Sequence, residues 1–362
     1  MKTPSLLIPI LAVAVALSSV PARAVTLSDL YEARVPVADQ SGPERSNALQ
    51  QAFDAVLVRV TGDRAAGGGL AASLGNPNQY IQQYRYEQAP PDPANPTAPP
   101  GLMLWAKFDA GVVDKGLHAV HAAVWGAERP RTLLWLGLPD HILNATDTTP
   151  LMQALLTAAQ QRGIVLVFPQ MDATDKAALS AADITGFNDD RIRAASQRYH
   201  ADAVLVGAVA PAEGQFAARW QWLSPDKVED WQTPAGDQVL VSVDGVQVAA
   251  DRFAARYAVA ADSTDQDGVA LQVDGIDSLD AYAKVLAYLG SLTPVRVVHV
   301  QRVAGGSVYY SLDIHGSLDN LESALVLGDL LSNAGTAAPT AASGNLPAAI
   351  PAPLHYSYRP QG

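Results

Sequence analysis

The sequence predicts an α/β (α+β) protein built from three small modules. Two stretches, one near each end of the chain, show the order strand, helix, strand, strand, helix. Between them, apolar runs of strand length alternate with helical patterns, which is typical of a mainly parallel sheet covered on both faces. The chain of 362 residues is also too long for one ordinary hydrophobic core. We therefore expect a βαββα N-terminal module at 25–128, a central βαβ module with a hairpin at 129–262, and a ferredoxin-like module at 268–332.

Residues 1–24 predict a signal peptide. A positively charged start precedes an apolar run over 6–20, and the segment 22–24, Ala-Arg-Ala, has the small-x-small form of a cleavage site. The run is shorter than the roughly 20 residues that a membrane-spanning helix needs. We expect cleavage after Ala24 and a periplasmic mature protein with no stable membrane anchor.

The charge balance limits the classes of partner. The chain carries 24 Lys and Arg against 36 Asp and Glu, a net charge of −12, and it has no Cys. Removing the two basic residues of the signal leaves 22 against 36, or −14. An acidic chain without basic clusters repels nucleic acid and anionic membranes, so neither is expected as a partner. Without Cys, thiol chemistry is impossible and the fold depends on burial alone.

The clearest signal in the N-terminal module is a helix. It begins at Ser41, where Glu44 completes a capping-box pattern, and it ends at Gly62. The remaining predicted elements are strands at 30–37, 80–88 and 102–110, a Pro-rich loop at 89–101 and a helix at 112–125.

The glycine-rich segment 61–75 raises the question of a phosphate-binding loop. Such a loop follows a strand and usually carries a Lys-Ser/Thr pair, so that backbone N–H groups and the ammonium converge on the anion. Here a helix precedes the glycines and no such pair follows. We predict a flexible loop that binds no nucleotide.

The central module is predicted from alternating strands and helices. Thr149 and Pro150 begin one helix and Gly163 ends it, while Asn188 begins another. The predicted strands lie at 132–138, 164–169 and 201–210, followed by a hairpin that turns at 224–227 and a last helix.

The C-terminal module contains the strongest hairpin signal, since two consecutive glycines separate two strand patterns. Ser278 or Asp277 caps the first helix of this module, and Ser317 caps the second. Beyond it we expect a flexible linker at 333–353, and residues 354–362 form either a tail or a last strand.

Segments along nearly the whole predicted mature chain share one joint pattern: "LYEARVPVADQS", "ALQQAFDAVLVRVTG", "YIQQYRYE", "LMLWAKFD", "WGAERPRTLLWL", "YHADAVLVGAV" and "VDGVQVAADRFAARYAV". In these segments the chain resembles the bacterial family called domain of unknown function 2066. The resemblance implies secretion in a Gram-negative bacterium, and it supplies no activity or catalytic residues. The central stretch is also similar to the N-terminal domain of the periplasmic protein TolB, which implies an interaction module of the cell envelope by analogy.

Two sets of polar residues are candidate ligand sites. Asp140 and His141 follow a strand end, where α/β folds bind ligands, and Asp172 follows the next strand. His118 and His121 lie three residues apart on a predicted helix, but zinc needs three or four ligands, which favours ordinary surface histidines.

The segment 263–274 is the best candidate for a metal site. Gly268 takes the sixth position of an EF-type loop, and the oxygen ligands are then Ser263, Asp265, Asp267 and Asp274. Ser at position one and Asp at position twelve depart from the pattern, and the alternative is an acidic linker between modules.

Trp220, Trp222 and Trp231 share a predicted hairpin. They form either a stacking surface for a sugar or partner, or part of the core, and the usual burial of large aromatics favours the core.

These observations favour a non-enzymatic interaction or assembly protein of the cell envelope, with envelope proteins as partners and no cofactor. A periplasmic small-ligand-binding protein is the first alternative, and an envelope hydrolase is the second. No nucleophile, base and orienting group form a recognisable set in the sequence, so we assign no catalytic residue.

Overall fold

The computed structural model describes residues 29–89, 100–224, 227–259, 265–328, 330–335 and 354–359, and the backbone of 25–26. The predicted signal peptide, most of the Pro-rich loop and most of the predicted linker lie outside the described residues. The described part contains ten α-helices and three sheets of three or more strands, which confirms an α+β fold of three modules. No helix in these ranges is both long and apolar enough to cross a membrane.

The N-terminal module consists of β1 (Val25–Thr26), β2 (Glu32–Val37), α1 (Gly42–Thr61), α2 (Gly69–Leu74), β3 (Ile81–Gln88), β4 (Leu102–Phe108) and α3 (Ala110–Ala119). An antiparallel sheet of order β2-β4-β3 packs against α1. Phe53 of α1 lies 4.9 Å from Tyr80 and 5.2 Å from Phe108, measured between ring centroids. Gly62 ends α1 in the left-handed region, as predicted.

The cap of α1 differs from the predicted capping box. Ser41 Oγ accepts a hydrogen bond from the Glu44 N–H at 3.4 Å. The Glu44 carboxylate, however, accepts from the Ala38 N–H, while the Ser41 N–H donates to Asp39. Only half of the reciprocal pattern is present, because Asp39 is closer in sequence and takes the donor.

The prediction of a flexible loop at 61–75 is wrong, because the segment is helical. A 3₁₀ turn, Arg64–Gly67, precedes α2. Asp63 accepts a hydrogen bond from the Ala65 N–H at 2.8 Å, and Leu74 is buried in the module core. Capping and burial together stabilise helical turns that three glycines alone disfavour.

The central module consists of β5 (Glu128–Arg129), β6 (Arg131–Gly137), α4 (Pro150–Arg162), β7 (Val165–Val167), α5 (Ala173–Ala178), α6 (Ala181–Thr185), α7 (Asp189–Ser196), β8 (Ala203–Ala212), β9 (Gln215–Leu223), β10 (Val228–Gly236) and α8 (Gln238–Tyr257). The sheet order is β10-β9-β8-β6-β7, and β8, β6 and β7 are parallel while β9 and β10 form an antiparallel hairpin. Separate apolar clusters lie on the two faces of the sheet, one beneath α4 and α8 and the other beneath α6 and α7.

The C-terminal module consists of β11 (Asp265–Asp274), α9 (Leu279–Ser291), β12 (Val295–Ala304), β13 (Ser307–His315), α10 (Leu318–Leu327), β14 (Leu331–Asn333) and β15 (Leu354–Tyr358). In the sheet order β12-β13-β11-β15-β14, the first four strands take the positions of a ferredoxin-like sandwich. The strand in the fourth position, β15, runs parallel to β11, whereas a ferredoxin-like sheet is antiparallel throughout, so the module departs from the predicted fold at this strand. The edge of the sheet is β14. Residues 354–358 are therefore a strand rather than a tail.

Buried arginines fill the junction between the N-terminal and central modules. Arg129 has no solvent exposure and donates to the carbonyls of Arg59, Trp125 and Gly126 at 2.7–2.9 Å. Arg162 of α4 donates to the Gly62 carbonyl and to Asp251 of α8, both at 2.6 Å. Both arginines therefore donate to carbonyls of the N-terminal module, and the two modules share one hydrogen-bonded junction.

Candidate functional site

A cavity of about 670 Å³ lies between the N-terminal and C-terminal modules. We call it the cleft, and its titratable lining residues are Tyr31, Asp114 and His118 from the N-terminal module and Asp265, Arg296 and His315 from the C-terminal module. Asp114 and His118 are four residues apart on α3 and therefore share a helix face. Asp265 and His315 are opposite each other in the antiparallel register of β11 and β13. The cleft thus exists only because distant segments meet.

Asp114 and Tyr31 form the polar group on one wall of the cleft. The Tyr31 hydroxyl donates to Asp114 Oδ1 at 2.6 Å. Burial raises the pKa of Asp114, although the bond from Tyr31 and the nearby His118 oppose the shift. Burial and the adjacent Asp114 also raise the pKa of Tyr31, so the phenol stays protonated and remains a donor. Among the described residues, Asp114 Oδ2 accepts no hydrogen bond.

Asp265, His315 and Arg296 form the opposite wall. Asp265 Oδ1 lies 2.7 Å from His315 Nδ1, and Arg296 forms an ion pair with the same carboxylate. The bond to His315 and the charge of Arg296 lower the pKa of Asp265. Because an ionised carboxylate only accepts, His315 Nδ1 carries a proton, and Nε2 is an acceptor when the ring carries no second proton. That Nε2 is buried and has no hydrogen-bond partner in the described part of the chain.

The cleft therefore presents two acceptors without donors, Asp114 Oδ2 and His315 Nε2, beside one guanidinium. This set suits a ligand that brings hydroxyl or ammonium donors. The Asp265–His315 pair has the geometry of a general base, but the Ser291 hydroxyl, which also lines the cleft, donates to the Tyr288 carbonyl at 2.7 Å instead. Among the described residues, no three His, Asp or Glu side chains are grouped to hold a metal ion.

The predicted ligand residues of the central module form two separate networks. His141 lies 2.9 Å from Asp140 and 3.3 Å from Asp147, within one loop. Asp172 caps α5 and pairs with Arg198 at 2.8 Å, and the bond from Arg198 holds the pKa of Asp172 well below its usual range. No hydrogen bond between described residues joins Asp172 to Asp140 or His141, and each carboxylate is already satisfied by an ordinary structural contact.

The hairpin tryptophans do not form a surface. Trp220 and Trp222 are each 1% exposed and lie beneath α8. Trp231 stacks on Trp220 with ring centroids 6.3 Å apart, and it is only partly buried. A β-carbon on Gly245 of α8 would lie 1.9 Å from the Trp220 ring, so the rings and the helix are in close contact. The two buried rings belong to the core, as the alternative interpretation held.

The predicted EF-type loop is not a loop, because Asp265 and Asp274 are the two ends of one strand, β11. At about 3.3 Å per residue, a ten-residue strand holds its ends some 30 Å apart, too far for one ion. Asp265 and Asp267 pair with Arg296, and Asp274 accepts from Ser307. Ser263 lies outside the described residues. Gly268 instead lies at a bulge in β11, where it adopts a positive φ.

The sequence does not predict the cleft. It places His118 beside His121 and Asp265 in an EF-type loop, whereas in the structure the His118 ring lies 5.3 Å from the His315 ring, measured between centroids. The one sequence pattern that points to the cleft is a histidine or carboxylate at the end of each of several helices and strands. It becomes informative only once the pairing of those elements is known.

The chain is similar, over residues 24–126, to the family described as Domain of unknown function (DUF8605). This match covers the N-terminal module, and it shows that the resemblance to the domain of unknown function 2066 family is wrong. The match ends before the central module, so the similarity to the TolB domain has no support and is not retained. No curated protein matches the chain.

Proposed function

We propose that this protein is a periplasmic small-ligand-binding protein whose ligand occupies the cleft. One observation carries the proposal. Two acceptor atoms that receive no hydrogen bond from the described residues line one cavity between two modules. They are His315 Nε2, which is buried, and Oδ2 of the half-buried Asp114. Its volume, about 670 Å³, lies within the range of small-molecule sites. The predicted signal peptide supports the periplasmic location.

The ligand class follows from the donors that the cleft lacks. A sugar, or an amino acid such as lysine, supplies hydroxyl or ammonium hydrogens to both acceptors, while Arg296, which also pairs with Asp265 and Asp267, donates to an oxygen of the ligand. The apolar side chains of Leu30 and Val124 also line the cleft and contact the carbon skeleton of such a ligand.

Thermal unfolding in the presence of glucose, N-acetylglucosamine and lysine tests this proposal. A ligand at 100 times its Kd stabilises the protein by about 2.7 kcal/mol, which is a measurable rise in Tm. We expect at least one probe to raise the Tm of the native protein, and Asp114→Asn and His315→Gln to abolish that rise.

His299→Gln is the matched control, since His299 pairs with Asp313 on the same sheet and does not line the cleft. This variant must keep the response to the probe. If no probe changes the native Tm, the proposed ligand class is rejected. If the rise persists in both cleft variants, the site is elsewhere.

A second candidate, an interaction protein of the envelope, is favoured by the edge strand β12. Val297, Val300 and Val303 are exposed by 44%, 38% and 61%, and Arg302 on the same strand is exposed as well. Apolar and basic side chains together suit an extended acidic segment of a partner protein. Two bulges divide β12 into short regular stretches at 297–300 and 302–304, so any strand pairing there is short.

Fluorescence anisotropy with a labelled peptide of alternating Val and Glu tests this candidate against a Val/Lys peptide. We expect only the acidic peptide to bind and Arg302→Glu to weaken it, whereas Arg34→Glu, on the sheet of the N-terminal module, leaves it unchanged. Equal binding of both peptides, or of neither, excludes the candidate.

A further inference from the structure

A second cavity, of about 790 Å³, lies where the central and C-terminal modules meet. It is bounded by the end of α8, the outer face of α10 and the strands β14 and β15. Tyr257 and Val326 give it apolar walls, and Asp319, Glu322 and Tyr356 give it polar groups. It shares no lining residue with the cleft.

Tyr356 is the first sign that this cavity takes a ligand. The residue is 1% exposed, and its hydroxyl is buried without a hydrogen-bond partner among the described residues. Burial, together with the charge of Glu322, raises the pKa of Tyr356 to about 12, so the hydroxyl stays protonated. A buried hydroxyl with no partner is costly, which indicates that a bound molecule completes it.

The charges of the lining residues set the ligand class. Asp202, Asp319 and Glu322 face one basic residue, Arg256. Asp202 already accepts from the Arg131 N–H at 2.8 Å. Among the described residues, Asp319 and Glu322 form no ion pair. Two carboxylates without partners, beside a tyrosine ring, suit an ammonium group.

We propose that this second cavity binds an organic diamine or polyamine. One ammonium group lies between Glu322 and Asp319, with the Tyr356 hydroxyl accepting an N–H. The carbon chain lies against Val326 and Tyr257. This site is independent of the ligand proposed for the cleft.

Isothermal titration of the purified protein with cadaverine and with spermidine tests the proposal. We expect Glu322→Gln to weaken binding about tenfold and Tyr356→Phe to weaken it several-fold, as the loss of one charge-assisted and one neutral hydrogen bond predicts. Asp280→Asn, an exposed carboxylate on α9 outside the cavity, is the matched control and must leave the affinity unchanged.

Asp114→Asn separates the two proposals. If cadaverine binding is unchanged in this variant and about tenfold weaker in Glu322→Gln, the second cavity is the site. If binding is lost in Asp114→Asn and kept in Glu322→Gln, the diamine occupies the cleft and this inference is overturned. Absence of binding at millimolar cadaverine and spermidine overturns it as well.

Discussion

The junction between the N-terminal and central modules differs from the two junctions that the C-terminal module makes. Arg59, Arg129 and Arg162 fill the first, and each is at most 8% exposed. The C-terminal module instead meets its neighbours across cavities of about 670 and 790 Å³. Closely packed junctions hold modules together, whereas open ones leave room for ligands, so the proposed sites lie on the C-terminal side.

At Arg129, the closed junction depends on carbonyl acceptors rather than on paired charges. Burial lowers the pKa of Arg129 well below its usual range, and its hydrogen-bond acceptors are three carbonyls at 2.7–2.9 Å. Its guanidinium also lies 3.5 Å from the Trp125 ring centroid. A planar guanidinium with five donors binds several carbonyls in a fixed geometry, whereas a lysine offers three donors on a flexible side chain.

Loss of Arg162 is expected to have the largest effect. Arg162→Ala removes the donor to the Gly62 carbonyl and one of the two arginines that pair with Asp251, and it opens a cavity, so we expect a loss of about 2–4 kcal/mol. Urea unfolding measures it. Arg34→Ala, which removes an exposed ion pair with Glu87, is the control and should cost under about 1 kcal/mol. Equal losses in the two variants would show that the junction is not tightly packed.

A larger side chain at Gly126, which lines the cleft, should have an intermediate effect on the free energy of unfolding. A β-carbon on Gly126 would lie 1.5 Å from Thr293 Oγ1 across the junction with the C-terminal module. Gly126→Ala therefore forces the two modules apart locally, at about 1–3 kcal/mol, as overpacking does. Adding Thr293→Gly should restore most of the stability in the same urea assay. A double variant as unstable as Gly126→Ala alone would place the strain elsewhere.

The smallest expected effect is a pH dependence at the open junction. The pKa of Asp114 is raised by burial, so the folded state binds its proton more tightly than the unfolded state does. The resulting stability is present below the unfolded pKa, about 3.9, and is lost as pH rises through the folded pKa. Asp114→Asn should therefore lose less stability than the native protein between pH 4 and pH 7, measured as the change in urea midpoint. A parallel decline in both proteins would contradict this.

Local sequence patterns predicted several helix ends correctly, although the helix predicted at 112–125 is α3, Ala110–Ala119. Thr149 caps α4 and Gly163 ends it in the left-handed region, and Ser278 and Ser317 cap α9 and α10. Each of these features depends on contacts within about four residues, so sequence spacing alone encodes it. The hairpin between β12 and β13 was predictable for the same reason, because Gly305 and Gly306 supply its positive φ angles.

The predictions that failed depend on what lies farther away. The segment 263–274 has the spacing of a calcium loop, but pairing of β11 with β13 and β15 extends most of it into a strand. The glycines near residue 67 suggest a flexible loop, but burial of Ala66 and Leu74 in the module core makes the segment helical. In both cases tertiary burial outweighed the local preference.

The sequence by itself determined three α/β modules, most of their helix caps and the acidic charge, and it predicts an export signal. Only the tertiary structure decided that Tyr31, Asp114 and His118 face Asp265 and His315 across one cleft. The physical reason is the distance along the chain between the residues that interact. Caps and periodicities arise between residues a few positions apart, whereas a site between modules depends on packing that joins residues more than 200 positions apart.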